Sequence, residues 1–411
     1  MGAGKDHNRR DEPMPGTEVF GAEERQAVLE VLETGVLFRY GHEEQRRDRW
    51  KAKAFEAAVC EFTGAAHAHA VSSGSAAVSC ALAAAGVGHG DEVIVPPFTF
   101  IATIEAVLMA GGLPVFADID ETLCLSAGGI RQALSPRTKA VLLVHMCGAA
   151  ADLDGIVGVC REHELILVED AGQALGATYR GRSVGRFGRA GAFSYDFFKI
   201  VTCGEGGVCI TDSEEAYRIA DTFSDHGHTH LGDNRGMEPH PLLGFNYRIS
   251  ELHAAVGLAQ MGKLENIRQR TLVNKLRLKR RLEGVDGVTM RSLPDADGDS
   301  GTFLNFFLPD AESARRTIET LSTRGVGAAY WYENMYHFIN QWEHLKDLAA
   351  PAALAINHLG SPQDYHNLDL PRAQDVMSRL VSIGIRCTWT EDELAALEDA
   401  LSDSVHAVLS A

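Results

Sequence analysis

Between about Ala70 and Thr211 the chain alternates short, unbroken apolar runs with segments of helical periodicity, and this alternation constrains the fold more than any other feature. Residues 92–95 (EVIV), 114–117 (PVFA), 140–145 (AVLLVH) and 165–168 (LILV) are too short for core helices and do not alternate polar with apolar. A strand that is apolar on both faces must be covered on both faces, as in parallel sheets. The intervening residues 76–85, 101–110 and 156–163 read as the covering helices. Strand candidates at 190–195 and 208–211 extend the pattern around a turn containing Gly204, Gly206 and Gly207. The expected class is therefore α/β, with a mostly parallel central sheet. A helix is expected over 22–34, and residues 38–51 form a basic, aromatic stretch.

The character changes after an amphipathic segment at 250–264. A basic helix over 272–282, strands at 288–291 and 303–308, and helices over 311–324, 374–383 and 391–409 predict a smaller α+β domain. The chain divides on this reading into a flexible tail (1–15), a large α/β domain (16–265) and a small C-terminal domain (266–411). A length of 411 residues accommodates one large core and such an addition.

Acidic residues number 56 against 38 basic ones, a net charge of −18 that disfavours a nucleic-acid surface. The eight cysteines form no C-x-x-C pair, as expected of reduced thiols. Residues 1–15 lack an apolar signal region, and no stretch approaches the roughly 20 apolar residues that cross a bilayer. The expected location is the cytoplasm, away from membrane and nucleic acid.

Several groups fall at the C-terminal ends of the predicted strands, where open α/β sheets bind ligands. Ser72-Ser73-Gly74-Ser75 opens the 76–85 helix, and small residues there suit either a phosphate or an ordinary N-cap. Asp170 follows the 165–168 strand with Gln173 one turn later, so its carboxylate needs a cationic partner, a protein side chain or a protonated pyridine nitrogen. Lys199 follows Phe197 and Phe198, where it is either a desolvated nucleophilic amine or a lysine snorkelling past the rings. Phe100, after the 92–95 strand, either stacks on a flat ring or packs in the core.

Taken in order, phosphate turn, aromatic, strand-end aspartate and lysine before a glycine turn resemble the DegT/DnrJ/EryC1/StrS sugar aminotransferases. The segments that carry the resemblance are SSGSAA (72–77), VPPFTFIAT (95–103), VEDAGQALGA (168–177), FSYDFFKIVTCGEGG (193–207) and GFNYRISELHAAVGLAQ (244–260). The resemblance implies the type I (aspartate aminotransferase) fold and pyridoxal 5′-phosphate as cofactor. It implies that Lys199 forms the Schiff base and shuttles the proton, that Asp170 pairs with the pyridine nitrogen, and that Gln173 contacts the ring oxygen. Phe100 would stack on the ring, while Gly74, Ser75 and Ser194 would hold the phosphate. Asn246 would reach the phosphate in a neighbouring subunit, so a homodimer with shared sites is implied. The family moves an amino group from L-glutamate, leaving 2-oxoglutarate, to a keto or aldehyde carbon of a sugar. Related sugar dehydratases carry histidine in place of the lysine; here lysine is present, which points to transamination.

Four further segments, 35–53, 143–154, 224–236 and 330–338, are similar to the subgroup that makes 8-amino-3,8-dideoxy-manno-octulosonate from the 8-oxo sugar acid. Nucleotide-linked keto-hexoses or octoses and keto-cyclitols are the alternative acceptors. A free sugar acid presents a carboxylate that calls for forked cationic donors. Arg39 or Arg49, with His226 and His228 nearby, are the candidates, although interleaved Glu43, Glu44 and Asp48 allow a solvated loop. His226-x-His228-x-His230 could also bind a metal, but the surrounding glycines indicate a loop and no metal is expected. Gly181-x-Ser183-x-Gly185 fits a hydrolase elbow without the helix that motif needs. A non-catalytic regulatory protein would be expected to lack Lys199 or Asp170.

Overall fold

The computed structural model describes residues 15–232 and 234–410. The tail expected over 1–15 lies outside these residues except for Pro15, which opens a short helix, Pro15–Glu18. The strands are β1 (His67–Val71), β2 (Glu92–Val95), β3 (Leu113–Phe116), β4 (Thr138–Val144) and β5 (Ile166–Asp170). A hairpin, β6 (Thr178–Tyr179) and β7 (Arg182–Ser183), precedes β8 (Ala190–Ser194) and β9 (Gly207–Thr211). Seven of them form one sheet in the order β1-β9-β8-β5-β4-β2-β3.

β3, β2, β4, β5 and β8 run parallel, as the apolar runs predict; helices cross between β2, β3, β4 and β5, whereas the β6–β7 hairpin lies between β5 and β8. β9 runs antiparallel to β8, because the chain between them is a turn without a covering helix. Ser183 of the G-x-S-x-G sequence lies in the β6–β7 hairpin, where its hydroxyl donates to Val184 O.

A second, antiparallel sheet follows: β10 (Thr289–Met290), β11 (Phe303–Phe307) and β12 (Leu380–Gly384). Helices Ala311–Thr323 and Glu391–Leu409 cover it, burying Leu304, Phe306, Ile383, Leu321 and Leu401 in a separate core. Helix Leu264–Leu282 starts earlier than the periodicity suggests and serves both bodies. Its Leu264 and Ile267 pack in the large core, its Leu278 and Leu282 in the small one.

Three expectations are corrected. Residues 374–383 do not form one helix: helix Pro371–Arg379 ends and β12 begins, because pairing with β11 satisfies the backbone and buries Val381 and Ile383. β1 was not expected, since HAHAV is rich in alanine and histidine; its His69 is buried against Ser224 at 2.6 Å. Helix Lys51–Thr63, which begins where the basic stretch ends, was not expected, yet Ala52, Phe55, Val59 and Thr63 bury one face at helical spacing.

Segments 35–53 and 224–236 meet beside β1 in a charged cluster. Asp225 is buried and paired with Arg235 (2.7 Å), Arg248 and His230 Nε2 (2.9 Å). His230 Nδ1 lies 2.9 Å from Asp221, and its ring stacks on Tyr40 at 4.0 Å. Burial works against the imidazolium, but hydrogen bonds to the two aspartates prevail and raise His230 to about 9. A pKa raised on folding stabilises fully below the unfolded value of about 6.5 and is lost as pH climbs through about 9. The melting-temperature advantage of the parent protein over His230→Asn should shrink between those pH values; a constant difference would show that the imidazole does not titrate with folding.

The small domain also contains a buried ion pair, Lys275–Asp299. Lys275→Met should cost about 3–5 kcal/mol in denaturant unfolding by stranding the carboxylate, whereas Lys275→Met with Asp299→Leu should recover much of it.

Candidate active site

β4, β5 and β8 end side by side, and their last residues form one wall of a cleft of about 920 Å³ between the large sheet and the small domain. The wall is held from behind by Glu169, which is fully buried. Its oxygens accept N–H bonds from Phe187 (2.6 Å), Gly185 (2.7 Å) and Gly188 (2.7 Å), and His145 Nε2 lies at 3.0 Å. His145 Nδ1 accepts from Ala151 N–H, so its Nε2 carries the proton donated to Glu169.

Side chains alternate along a strand, so the next residue, Asp170, faces the cleft. One of its oxygens accepts from the Thr103 hydroxyl (2.8 Å), the other from Gly172 N–H (2.9 Å). Thr103 is in turn 2.7 Å from the Thr99 hydroxyl. The carboxylate is thus oriented, with lone pairs left for a cation in the cleft. Gln173 Oε1 accepts from Cys147 N–H (3.2 Å), which turns its amide nitrogen away from that backbone.

Helix Gly74–Ala84 points its N-terminus at the same wall. Ser73 caps it by accepting from Ala76 N–H, and the preceding first-turn amides remain available to an anion. A Cβ on Gly74 would come within 2.7 Å of the Ser194 side chain, so this close approach requires glycine. Gly207 is equally constrained, since a Cβ there would strike Ser73 O.

Lys199 enters through a tight turn in which Asp196 Oδ1 accepts from Phe198 N–H and Lys199 N–H donates to Asp196 O. Its Nζ lies 3.6 Å from the Asp196 carboxylate. Phe197 and Phe198 are about half exposed and do not enclose it; the turn brings it into the cleft. Phe100 also lines the cleft, 5.4 Å between ring centres from His337. His337 Nδ1 donates to Asn334 Oδ1 (2.9 Å), which already accepts from Tyr336 N–H, so Nε2 is left as an acceptor. Burial, reinforced by the Lys199 charge, pushes His337 down to about 3.

The cleft thus brings together Gly74, Ser75, Phe100, Asp170, Gln173, Ser194 and Lys199. This set fits pyridoxal phosphate: a helix N-terminus with hydroxyls for the phosphate, a carboxylate for the ring nitrogen, an amide donor for the ring oxygen, and an amine for the aldehyde. Thr103, Asp196 and His337 belong to the same cleft and were not singled out in the sequence. A hydroxyl three residues after Phe100, at the start of the following helix, was the available signal for Thr103.

The remaining candidates lie elsewhere. Asn246 is exposed and paired through its backbone with Asp225, off the cleft of its own chain. Arg39 is buried, donating to Ala70 O (2.6 Å) and Glu56 (2.6 Å). Arg49 donates to Glu30 O (2.9 Å) and Glu33 (2.8 Å). Arg39 is held inside the fold and Arg49 is engaged through Nη1 alone; neither lines the cleft of its own chain. His226 is exposed, and His228 Nδ1 faces Glu238 (3.3 Å) and His240 (3.1 Å); neither lines the cleft. Among the described residues, no group of three or more His, Cys, Asp or Glu is arranged to hold a metal ion. No described helix is long and apolar enough to cross a membrane.

Comparison with known proteins agrees with this geometry. Residues 19–402 match the DegT/DnrJ/EryC1/StrS aminotransferase family. The chain is 32% identical over 394 residues to the spore coat polysaccharide biosynthesis protein SpsC of Bacillus subtilis, covering 94% of this chain and 95% of that one. It is 38% identical over 248 residues to GDP-perosamine synthase of Caulobacter vibrioides, a match spanning 59% of this chain and 62% of that relative. The fold superposes on an aminotransferase from Psychrobacter cryohalolentis with a TM-score of 0.80 and 27% identity, covering 95% and 97% of the two chains. For 3-amino-5-hydroxybenzoic acid synthase the TM-score is 0.79 at 28% identity, covering 97% and 100%. With a family match over nearly the whole chain, on a cleft that unites a lysine, a strand-end aspartate and a phosphate cradle, the protein belongs to the pyridoxal-phosphate-dependent DegT/DnrJ/EryC1/StrS aminotransferases.

Proposed function

We propose that this enzyme carries an amino group from L-glutamate to the carbonyl carbon of a sugar acid, converting 8-oxo-3,8-dideoxy-manno-octulosonate to its 8-amino derivative. The observation that carries the catalytic part is Lys199 Nζ in one cleft with Asp170 and the Gly74 helix N-terminus. Bound pyridoxal phosphate supplies an aldehyde for imine formation and a ring that accepts electrons. With the cofactor bound, Lys199 Nζ would hold its aldehyde carbon with loss of water and, when the amino donor takes that place, would take and return the proton at the donor's α-carbon. Asp170, held by Thr103 and Gly172, would keep the ring nitrogen protonated. Ser75, Ser194 and the Gly74–Ser75 amides bind the phosphate, and Phe100 covers the ring.

Support for the sugar acid comes from two of the four segments that suggest it. Residues 143–154 contribute Val144 and Met146 to the cleft, and residues 330–338 contribute Trp331, Asn334, Tyr336 and His337. His337, neutral near pH 7 with Nε2 as acceptor, suits a hydroxylated acceptor. A second reading, a nucleotide-linked keto-hexose, is favoured by the 38% identity to GDP-perosamine synthase.

We further propose a homodimer with shared sites. The cleft carries Asp170, Asp196 and Glu205 against one lysine, so cofactor phosphate and substrate carboxylates call for donors from another chain. The loop bearing Asn246 exposes Phe245 and, almost completely, Leu243, a surface suited to such a contact. The eight cysteines are all unpaired, consistent with work in the cytoplasm.

The purified protein should absorb in the near-visible, and Lys199→Ala should abolish the band and slow the glutamate half-reaction by at least about 10²-fold. Reverse transamination with 2-oxoglutarate should consume the 8-amino octulosonate in preference to nucleotide-linked amino hexoses; the opposite preference would select the second reading. Inactive Lys199→Ala and Asn246→Asp proteins, unfolded and refolded together, should recover activity if each site draws on both chains. No recovery would rule out sharing through Asn246.

A further inference from the structure

We propose that Arg291, a residue of the small domain outside the cleft lining, sets the orientation of Gln173 through the backbone of Cys147 and thereby tunes the cofactor's ring oxygen. The inference rests on the reading of Gln173 as the residue facing that oxygen. Arg291 directly follows β10, is buried, and is spent on main-chain carbonyls of the large domain. Nε and Nη2 donate to Thr122 O (3.0 and 2.6 Å), Nη1 to Cys147 O (3.1 Å) and Nη2 to Met146 O (2.8 Å). Cys147 sits at φ +51°, a left-handed conformation that costs a β-carbon-bearing residue about 1–3 kcal/mol and persists only where the surroundings impose it.

The next peptide is held from the same side. Ser300 N–H donates to Gly148 O (3.0 Å), and Gly148, at φ +77°, packs so tightly on Ser300 and Thr302 that a Cβ would overlap their hydroxyls. The 146–148 turn is therefore clamped by the small domain, and Cys147 N–H meets Gln173 Oε1. With Oε1 occupied by a donor, the Gln173 carboxamide can present only its NH₂ in other directions. Release of the clamp lets the Cys147 peptide rotate, and the amide is then free to turn its oxygen to the ring.

The measurement is the pH midpoint of the holoenzyme's near-visible band. A donor at the ring oxygen stabilises negative charge there, so Gln173→Ala should raise the midpoint by about one pH unit. Arg291→Lys should raise it in the same direction, and Arg291→Lys combined with Gln173→Ala should equal Gln173→Ala alone. Arg291→Gln, too short to reach the three carbonyls together, should raise it where the Arg291→Lys protein does not fold. Additive shifts in the double variant, or no shift in the Arg291 variant that folds while Gln173→Ala moves, would overturn the coupling. An unmoved Gln173→Ala would instead remove the assignment of Gln173, and the inference with it.

Discussion

The buried carboxylate of Glu169 is the interaction on which the cleft depends. It gathers three amides of the 185–188 turn and the His145 imidazole, tying the ends of β4 and β5 to the segment that leads into β8. A buried carboxylate left short of partners is costly, so these bonds dictate one arrangement of the strand ends. Because neighbouring side chains on a strand face opposite ways, an immobile Glu169 also means an immobile Asp170 pointing into the cleft. The Asp170 carboxylate is thus positioned by its structural neighbour, then refined by Thr103 and Gly172.

The chain's charge is unevenly distributed in a way that matches this chemistry. Most arginines near the sequence segments that suggest a sugar acid are neutralised locally, Arg39 by Glu56, Arg49 by Glu33 and Arg235 by Asp225. The cleft keeps a single lysine, Lys199, beside three carboxylates. Binding of anions then depends on oriented N–H dipoles at the Gly74 helix and on groups that close the cleft from outside. Such a site costs little to fold, since it buries few unpaired charges before its ligands arrive.

The small domain does more than cover the cleft. Helix Leu264–Leu282 is common to both cores, and the Lys275–Asp299 pair and Arg291 lie where the two bodies meet. The 146–148 turn receives contacts from both sides, so the geometry around Gln173 is a property of the joined domains rather than of the sheet alone.

Local residue pattern carried much of this. Unbroken apolar runs separated by helical periodicity required a two-sided parallel sheet, and strand ends marked by Asp170, Ser194 and the Ser73–Gly74 turn located the ligand edge. Both signals are short-range, set by which faces of an element are buried and by which residues tolerate a turn. The partners of side chains far apart in sequence were not legible in this way. Arg39 meets Glu56 and Ala70, Thr103 meets Asp170, and residues 380–384 leave a helical pattern to pair with β11, all through contacts made only when distant segments pack. The sequence by itself determined the parallel body of the sheet, the family, and Lys199 and Asp170 as candidates at its ligand edge. Only the tertiary structure decided which cations stay free and how Gln173 is turned, because desolvation and hydrogen-bond satisfaction depend on neighbours in space rather than along the chain.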